Sequence, residues 1–174
     1  MKLKDGRELT LRKAEKGDAA NILAYLNQIG GESDNLLFGK DGMQMPVEAE
    51  EAYIESVNTS ETSVMLVGLV ENEIACVGSI SASSRERIAH LGEAAVSVAK
   101  KYWRLGIGEA LMKELMAFAR QTGRLKTIYL GVRDGNDGAI ALYHKLGFLE
   151  YGRFPGFFQI NGQFQDEILM YKEL

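Results

Sequence analysis

The segment Lys100-Lys101-Tyr102-Trp103-Arg104-Leu105-Gly106-Ile107-Gly108-Glu109 has the chemistry to meet an anion. An apolar, β-branched run ends at Val98, a basic turn follows, and Gly106 and Gly108 open an amphipathic stretch at helical spacing. The first N–H groups of a helix have no intrahelical acceptor, so they point outward and suit a phosphate. Glycine keeps side chains clear of that approach. Lys100, Lys101 and Arg104 add positive charge beside it. Two other phosphate-loop patterns fail here. A dinucleotide fingerprint wants a third glycine at residue 111, which is Leu111, and the Gly-Lys-Ser/Thr run of a Walker loop is absent.

Three other residues have chemistry to offer. Asn136 stands before a second helical run, and its side-chain oxygen suits a cap. Tyr143 lies about two turns further on, so both can line one side of that helix. A phenol of ordinary pKa about 10 can give a hydrogen bond or a proton to a departing anion. Glu93, in the run Gly92 to Val98, is a carboxylate able to take a proton from an ammonium group, directly or through water. The competing reading for Glu93 is a surface ion pair. His90 and His144 are far apart and lack matching cysteines, so they form no metal site. Cys76, the one cysteine, sits in the apolar run Ile74 to Val77 and reads as a small buried hydrophobe. No Cys or Ser stands out as a nucleophile.

These residues need a scaffold. The 174 residues read as a single domain, 1–174, of ordinary globular composition. A net charge of −4 gives no reason to expect nucleic acid as a partner. The polar start Met1 to Gly6 has no apolar signal core, and no run approaches the ~20 apolar residues of a membrane span. The expectation is a cytoplasmic protein with no membrane partner.

Periodicity supplies the elements. A strand is predicted over Arg7–Lys13, then a helix from Asp18 stopped by Gly30-Gly31, then a second helix from Pro46 to about Val57. Val64–Val70 and Ile74–Ser81 read as a hairpin, and Ile88–Val98 as the third strand of that meander. A long helix follows from Gly106 to a cap at Gly123, then a strand over Leu125–Val132 and a helix over Asp137–Leu146. Phe148–Phe154 and Phe164–Tyr171 close the chain, with Asn161-Gly162 as a hairpin turn.

Two runs carry a family resemblance. Trp103 to Gly108 resembles the acyl-CoA pyrophosphate loop of the GNAT superfamily of N-acetyltransferases, whose pattern is Gln or Arg, two residues, Gly, any residue, then Gly or Ala. Gly106 and Gly108 fit; the first position is Trp103, with Arg104 one place later. The run Asn136-Asp137-Gly138-Ala139-Ile140-Ala141-Leu142-Tyr143-His144-Lys145-Leu146-Gly147-Phe148 is similar to the second GNAT signature of Asn, Ala, Leu-Tyr and Gly-Phe. The element order also matches, from about Arg7 to Tyr171.

The resemblance implies an α/β (α+β) fold, with a mixed, mostly antiparallel sheet of about six or seven strands flanked by about four helices. It implies that acetyl-CoA is the co-substrate and that no metal is needed. The loop Arg104, Leu105, Gly106, Ile107, Gly108 and Glu109 would hold the pyrophosphate. Val96, Ser97 and Val98 would pair with the pantetheine arm on a splayed strand, and Asn136 and Ala139 would lie further along it. Tyr143 would sit at the coenzyme sulfur, and Glu93 would be the base. An acceptor pocket between the first two helices and the closing hairpin would draw on Asp34, Asn35, Glu93 and Phe157. The activity implied is acetyl transfer to a primary amine of a small molecule by direct attack in a ternary complex. A protein N-terminal or lysine acetyltransferase and a non-catalytic acyl-CoA sensor are the alternatives, and a homodimer is left open.

Overall fold

The computed structural model describes residues 1–174. Seven strands, β1 (Thr10–Lys13), β2 (Val64–Val70), β3 (Glu73–Ala82), β4 (Leu91–Val98), β5 (Thr127–Arg133), β6 (Leu149–Ile160) and β7 (Gln163–Glu173), form one sheet. Four helices accompany them: α1 (Ala19–Gly30), α2 (Val47–Thr59), α3 (Ile107–Gln121) and α4 (Asp137–Lys145). The sheet order is β1-β2-β3-β4-β5-β7-β6. Every pairing is antiparallel except β4 with β5, the two strands joined by the α3 crossover.

The core follows from apolar patterning. In β2 every residue but Leu69 is buried, as expected of a strand covered on both faces. In α3 the buried stripe is Ile107, Leu111, Met112, Leu115, Met116 and Ala119. This helix lies tight on β3: a Cβ at Gly78 would meet Leu111 Cδ2 at 2.9 Å. Cys76 is buried, and that burial pushes its thiol up to about 12. One charged residue, Glu50 on α2, is buried at 4 % exposure.

Four expectations shift. The opening strand begins at Thr10 and not at Arg7. The meander strand begins at Leu91, because Glu86–Ile88 curls into a 3₁₀ turn. The sixth strand runs on to Ile160, past Pro155, because it is the sheet edge and proline's missing N–H faces outward there; a register shift between Phe154 and Phe158 absorbs the ring. Lys16–Asp18 forms a 3₁₀ turn, so α1 proper starts at Ala19. The turn at Asn161-Gly162 has φ of 51° and 77°, the positive values a tight two-residue hairpin needs.

Candidate active site

β4 and β5 are partners for only a short distance. Their parallel register runs Leu91↔Thr127, Gly92↔Ile128 and Glu93↔Tyr129, then stops. β4 continues to Val98 with its other edge paired to β3 without a register shift. Strand alternation settles which groups face the gap. The carbonyl of His90 accepts from Lys126 N–H on the β5 side, while Ala99 N–H donates to Ala75 on the β3 side. Even-numbered residues therefore direct N–H and C=O towards β5, and Val96 and Val98 do so where β5 has left. The carbonyl of Val98 accepts from Trp103 Nε1 at 2.7 Å. Trp103 is 41 % exposed, and the Lys100 ammonium lies 6.0 Å from its ring centre.

Just beyond Val98 the chain turns into α3. Arg104 and Gly106 both have positive φ, 64° and 94°. The first helical bond is Ala110 N–H to Gly106, so the N–H groups from Arg104 through Glu109 donate to nothing in the chain. The side chains of Lys100 and Arg104 have no carboxylate partner, though the Lys100 N–H donates to Glu32 Oε2 at 2.6 Å; Lys101 pairs with Glu73. The Glu109 side chain is drawn off by Lys113 at 2.8 Å and Lys145 at 2.6 Å, which hold its carboxyl down to about 2. The result is a row of free amides with net positive charge around it.

The Lys145–Glu109 pair also ties α4 to α3. A Cβ at Gly108 would meet Leu142 Cδ2 at 3.3 Å and Val98 Cγ2 at 3.9 Å, so both helices occupy one face of the sheet beside the gap. Asn136 caps α4 by accepting from Ala139 N–H at 3.4 Å. Tyr143 is buried against Phe148, and its hydroxyl makes no hydrogen bond within the chain. Burial alone raises that hydroxyl to about 12.

The opposite face is open over β5 and β7. There Glu93 Oε2 accepts from the Tyr129 hydroxyl at 3.4 Å. Glu167 leans over Gly131, where a Cβ would stand 2.0 Å from its Oε1. Burial, then the charge of Glu93, raises the Glu167 carboxyl above its ordinary range. At the end of β5, Arg133 Nε and Nη2 donate to Asn35 Oδ1 at 3.0 and 2.8 Å, and Nη1 donates to Gln165 at 2.6 Å. This holds the loop between α1 and α2 against the sheet.

The residues expected in the site fall into three groups. Val96, Val98, Arg104, Leu105, Gly106, Ile107, Gly108 and Glu109 line the gap and the free-amide turn; Asn136, Ala139 and Tyr143 are on the adjoining α4. Ser97 is in β4 but turns to the other face, where it accepts from Tyr25 at 3.1 Å and donates to Val77 C=O at 3.3 Å. Glu93 shares that face, because β4 has no bulge to turn it over. Asn35 is engaged by Arg133, Asp34 is exposed and unpaired, and Phe157 stands on the edge strand against Phe154 and Phe158. His90 is exposed, and His144 meets Glu150 at 3.1 Å. Sequence reasoning missed Tyr129, Glu167 and Arg133. Their signal was the two-residue period Tyr129, Gly131, Arg133, which puts polar groups on one face of an otherwise apolar strand.

Comparison with known proteins agrees with this fold. Residues 37–148 match the acetyltransferase (GNAT) family. A GNAT-family acetyltransferase from Streptococcus pneumoniae superposes with a TM-score of 0.93 at 32% identity, covering 96% of this chain and 100% of that one. The spermidine N(1)-acetyltransferase of Vibrio cholerae is 26% identical over 165 residues, 94% of this chain and 92% of that protein. YncA, a putative acetyltransferase from Salmonella typhimurium solved with its cofactor acetyl-CoA, has a TM-score of 0.83 at 23% identity, covering 95% of this chain and 94% of its own. The chain belongs to the GNAT family of acetyltransferases. No helix is long and apolar enough to cross a membrane.

Proposed function

We propose that this enzyme transfers the acetyl group of acetyl-CoA to a primary amine of a small molecule, by direct attack within a ternary complex. The observation that carries the reading is the continuity of two features. The unpaired N–H and C=O of Val96 and the unpaired N–H of Val98 lead straight into the free amides of Arg104 to Glu109. An acyl-pantetheine arm pairs with the first as an added strand, and a pyrophosphate binds the second. No side chain obstructs Gly106.

In the transfer, the amine nitrogen bonds to the acetyl carbon, the carbon–sulfur bond breaks and the coenzyme leaves as its thiolate; the nitrogen sheds one proton to solvent as the amide forms, and before the attack the ammonium gives up another. Glu93 lies where the gap begins and on the open face, so it takes that proton directly or through water. The N–H of Val98 meets the negative charge that develops on the acetyl oxygen. Tyr143, on the α4 side, faces the departing thiolate. A hydroxyl raised to about 12 holds its proton against a thiolate of ordinary pKa about 8.5, so Tyr143 stabilises the sulfur by hydrogen bonding. Base and hydroxyl thus work from opposite faces of the sheet.

Thiol release from acetyl-CoA, measured across a panel of small primary amines, tests the reading. The expected result is amine-dependent release with at least one small amine. Tight coenzyme A binding with no release on any amine would favour an acyl-CoA sensor instead.

A further inference from the structure

Arg133 is a half-buried cation among carboxylates that all turn away from it. Its cross-strand partner is Glu167, directly opposite in the β5–β7 register. Opposite charges so placed ordinarily pair. Here they do not: Glu167 leans back over Gly131, beside Glu93, and makes no ion pair. Asp134, the next residue along, pairs with Arg153, and Asp166 reaches the same Arg153 at 3.5 Å. Arg133 is left with neutral acceptors only, the amide oxygens of Asn35 and Gln165 and the carbonyl of Asp134. That accounts for four of its five N–H groups, and the remaining one belongs to Nη2.

The positive charge of Arg133 and the negative charges of Glu93 and Glu167 are therefore kept apart on one open face. The Glu167 carboxylate lies over Gly131, which has no side chain of its own to fill that place. Two residues along a strand is about 7 Å. That span suits a small ligand with a cation at one end and an anion at the other, making one hydrogen bond at each.

We propose that Arg133 is a specificity-determining residue that receives a carboxylate of the acceptor, so that the substrate class is a free amino acid. Its ammonium group lies by Glu93 and Glu167, at the mouth of the β4–β5 gap, and its carboxylate lies at Arg133. The inference rests on the amine-acetylation reading given above. A polyamine or an amide of the same amino acid would leave the guanidinium without an anion and gain nothing from the separated charges.

The test compares acceptors in the full-length enzyme. Common L-amino acids are assayed by thiol release, each beside its own carboxamide, with putrescine as a carboxylate-free diamine. The expected result is a kcat/KM for the best amino acid at least tenfold above its amide and above putrescine. In Arg133→Gln the kcat/KM of the amino acid falls, through KM, at least tenfold further than that of its amide, and Arg133→Lys restores part of the difference. Parity between amino acid and amide in the unaltered enzyme overturns the proposal without any variant. So does an Arg133→Gln variant that weakens both acceptors equally, which is the signature of a purely structural clamp on Asn35. Release with putrescine but with no amino acid overturns the proposal and leaves amine acetylation standing. No release with any amine overturns both.

Discussion

The indole of Trp103 donates to the carbonyl of Val98 at 2.7 Å, at the end of the strand segment that β5 has abandoned. This closes off the last outward carbonyl of β4 and sets where an added strand must stop. Trp103 is also the only tryptophan in the chain. Titration with coenzyme A is expected to change its intrinsic fluorescence in step with binding measured by calorimetry. A flat emission signal alongside calorimetric binding would put the cofactor elsewhere.

Tyr143→Phe should separate turnover from binding. The hydroxyl makes no bond within the chain, so its removal costs no folding stability. Loss of the hydrogen bond to the leaving sulfur is expected to lower kcat by about a hundredfold with KM for acetyl-CoA near its original value. Steady-state kinetics checks this, and unaltered kcat refutes the role.

The two glycines of the turn should fail in different ways. Gly106 has φ of 94° and nothing within 4 Å of a Cβ, so Gly106→Ala costs about 1–2 kcal/mol of backbone strain without a clash. Gly108→Val instead presses on Leu142 and Val98 beside the free amides. It is expected to weaken coenzyme A binding about tenfold, the equivalent of roughly one lost hydrogen bond. Urea unfolding and calorimetry of both variants distinguish the two effects.

Glu50 gives a pH signature. Its Oε1 is buried without a partner, and burial raises its carboxyl above the ordinary range of about 4.3. In the window above that ordinary value, the folded state keeps a proton that the unfolded state has released. Stability therefore falls as pH rises through the window. Glu50→Leu removes the effect. The variant should be more stable than the parent by about 1 kcal/mol at pH 7, with the difference shrinking towards pH 4. Urea unfolding at the two pH values checks it; an equal difference at both would contradict the assignment.

Much of the architecture was legible because local chemistry agreed with it. The stripe Ile107, Leu111, Leu115 announced α3, Asn161-Gly162 announced the last hairpin, and Gly106 and Gly108 announced the turn between β4 and α3. What was hidden depends on contacts distant in sequence. Ser97 alternates correctly, yet nothing near it reveals that Tyr25, on α1, will take its hydroxyl. Pro155 reads as a strand end unless β6 is known to lie at the sheet edge. Arg133 looks like a charged residue entering a turn, and only the β5–β7 register shows that it faces Glu167 and does not pair with it. The face of Glu93 likewise depended on whether β4 carries a bulge, a matter of its pairing with β3.

A crystal structure with coenzyme A bound tests the central claim most directly. The pantetheine arm is expected between β4 and β5, hydrogen-bonded to the backbone of Val96 and Val98, with the pyrophosphate on the N–H groups of Arg104 to Glu109. A coenzyme bound away from that gap, or a β5 that moves in to pair with Val96, would contradict it.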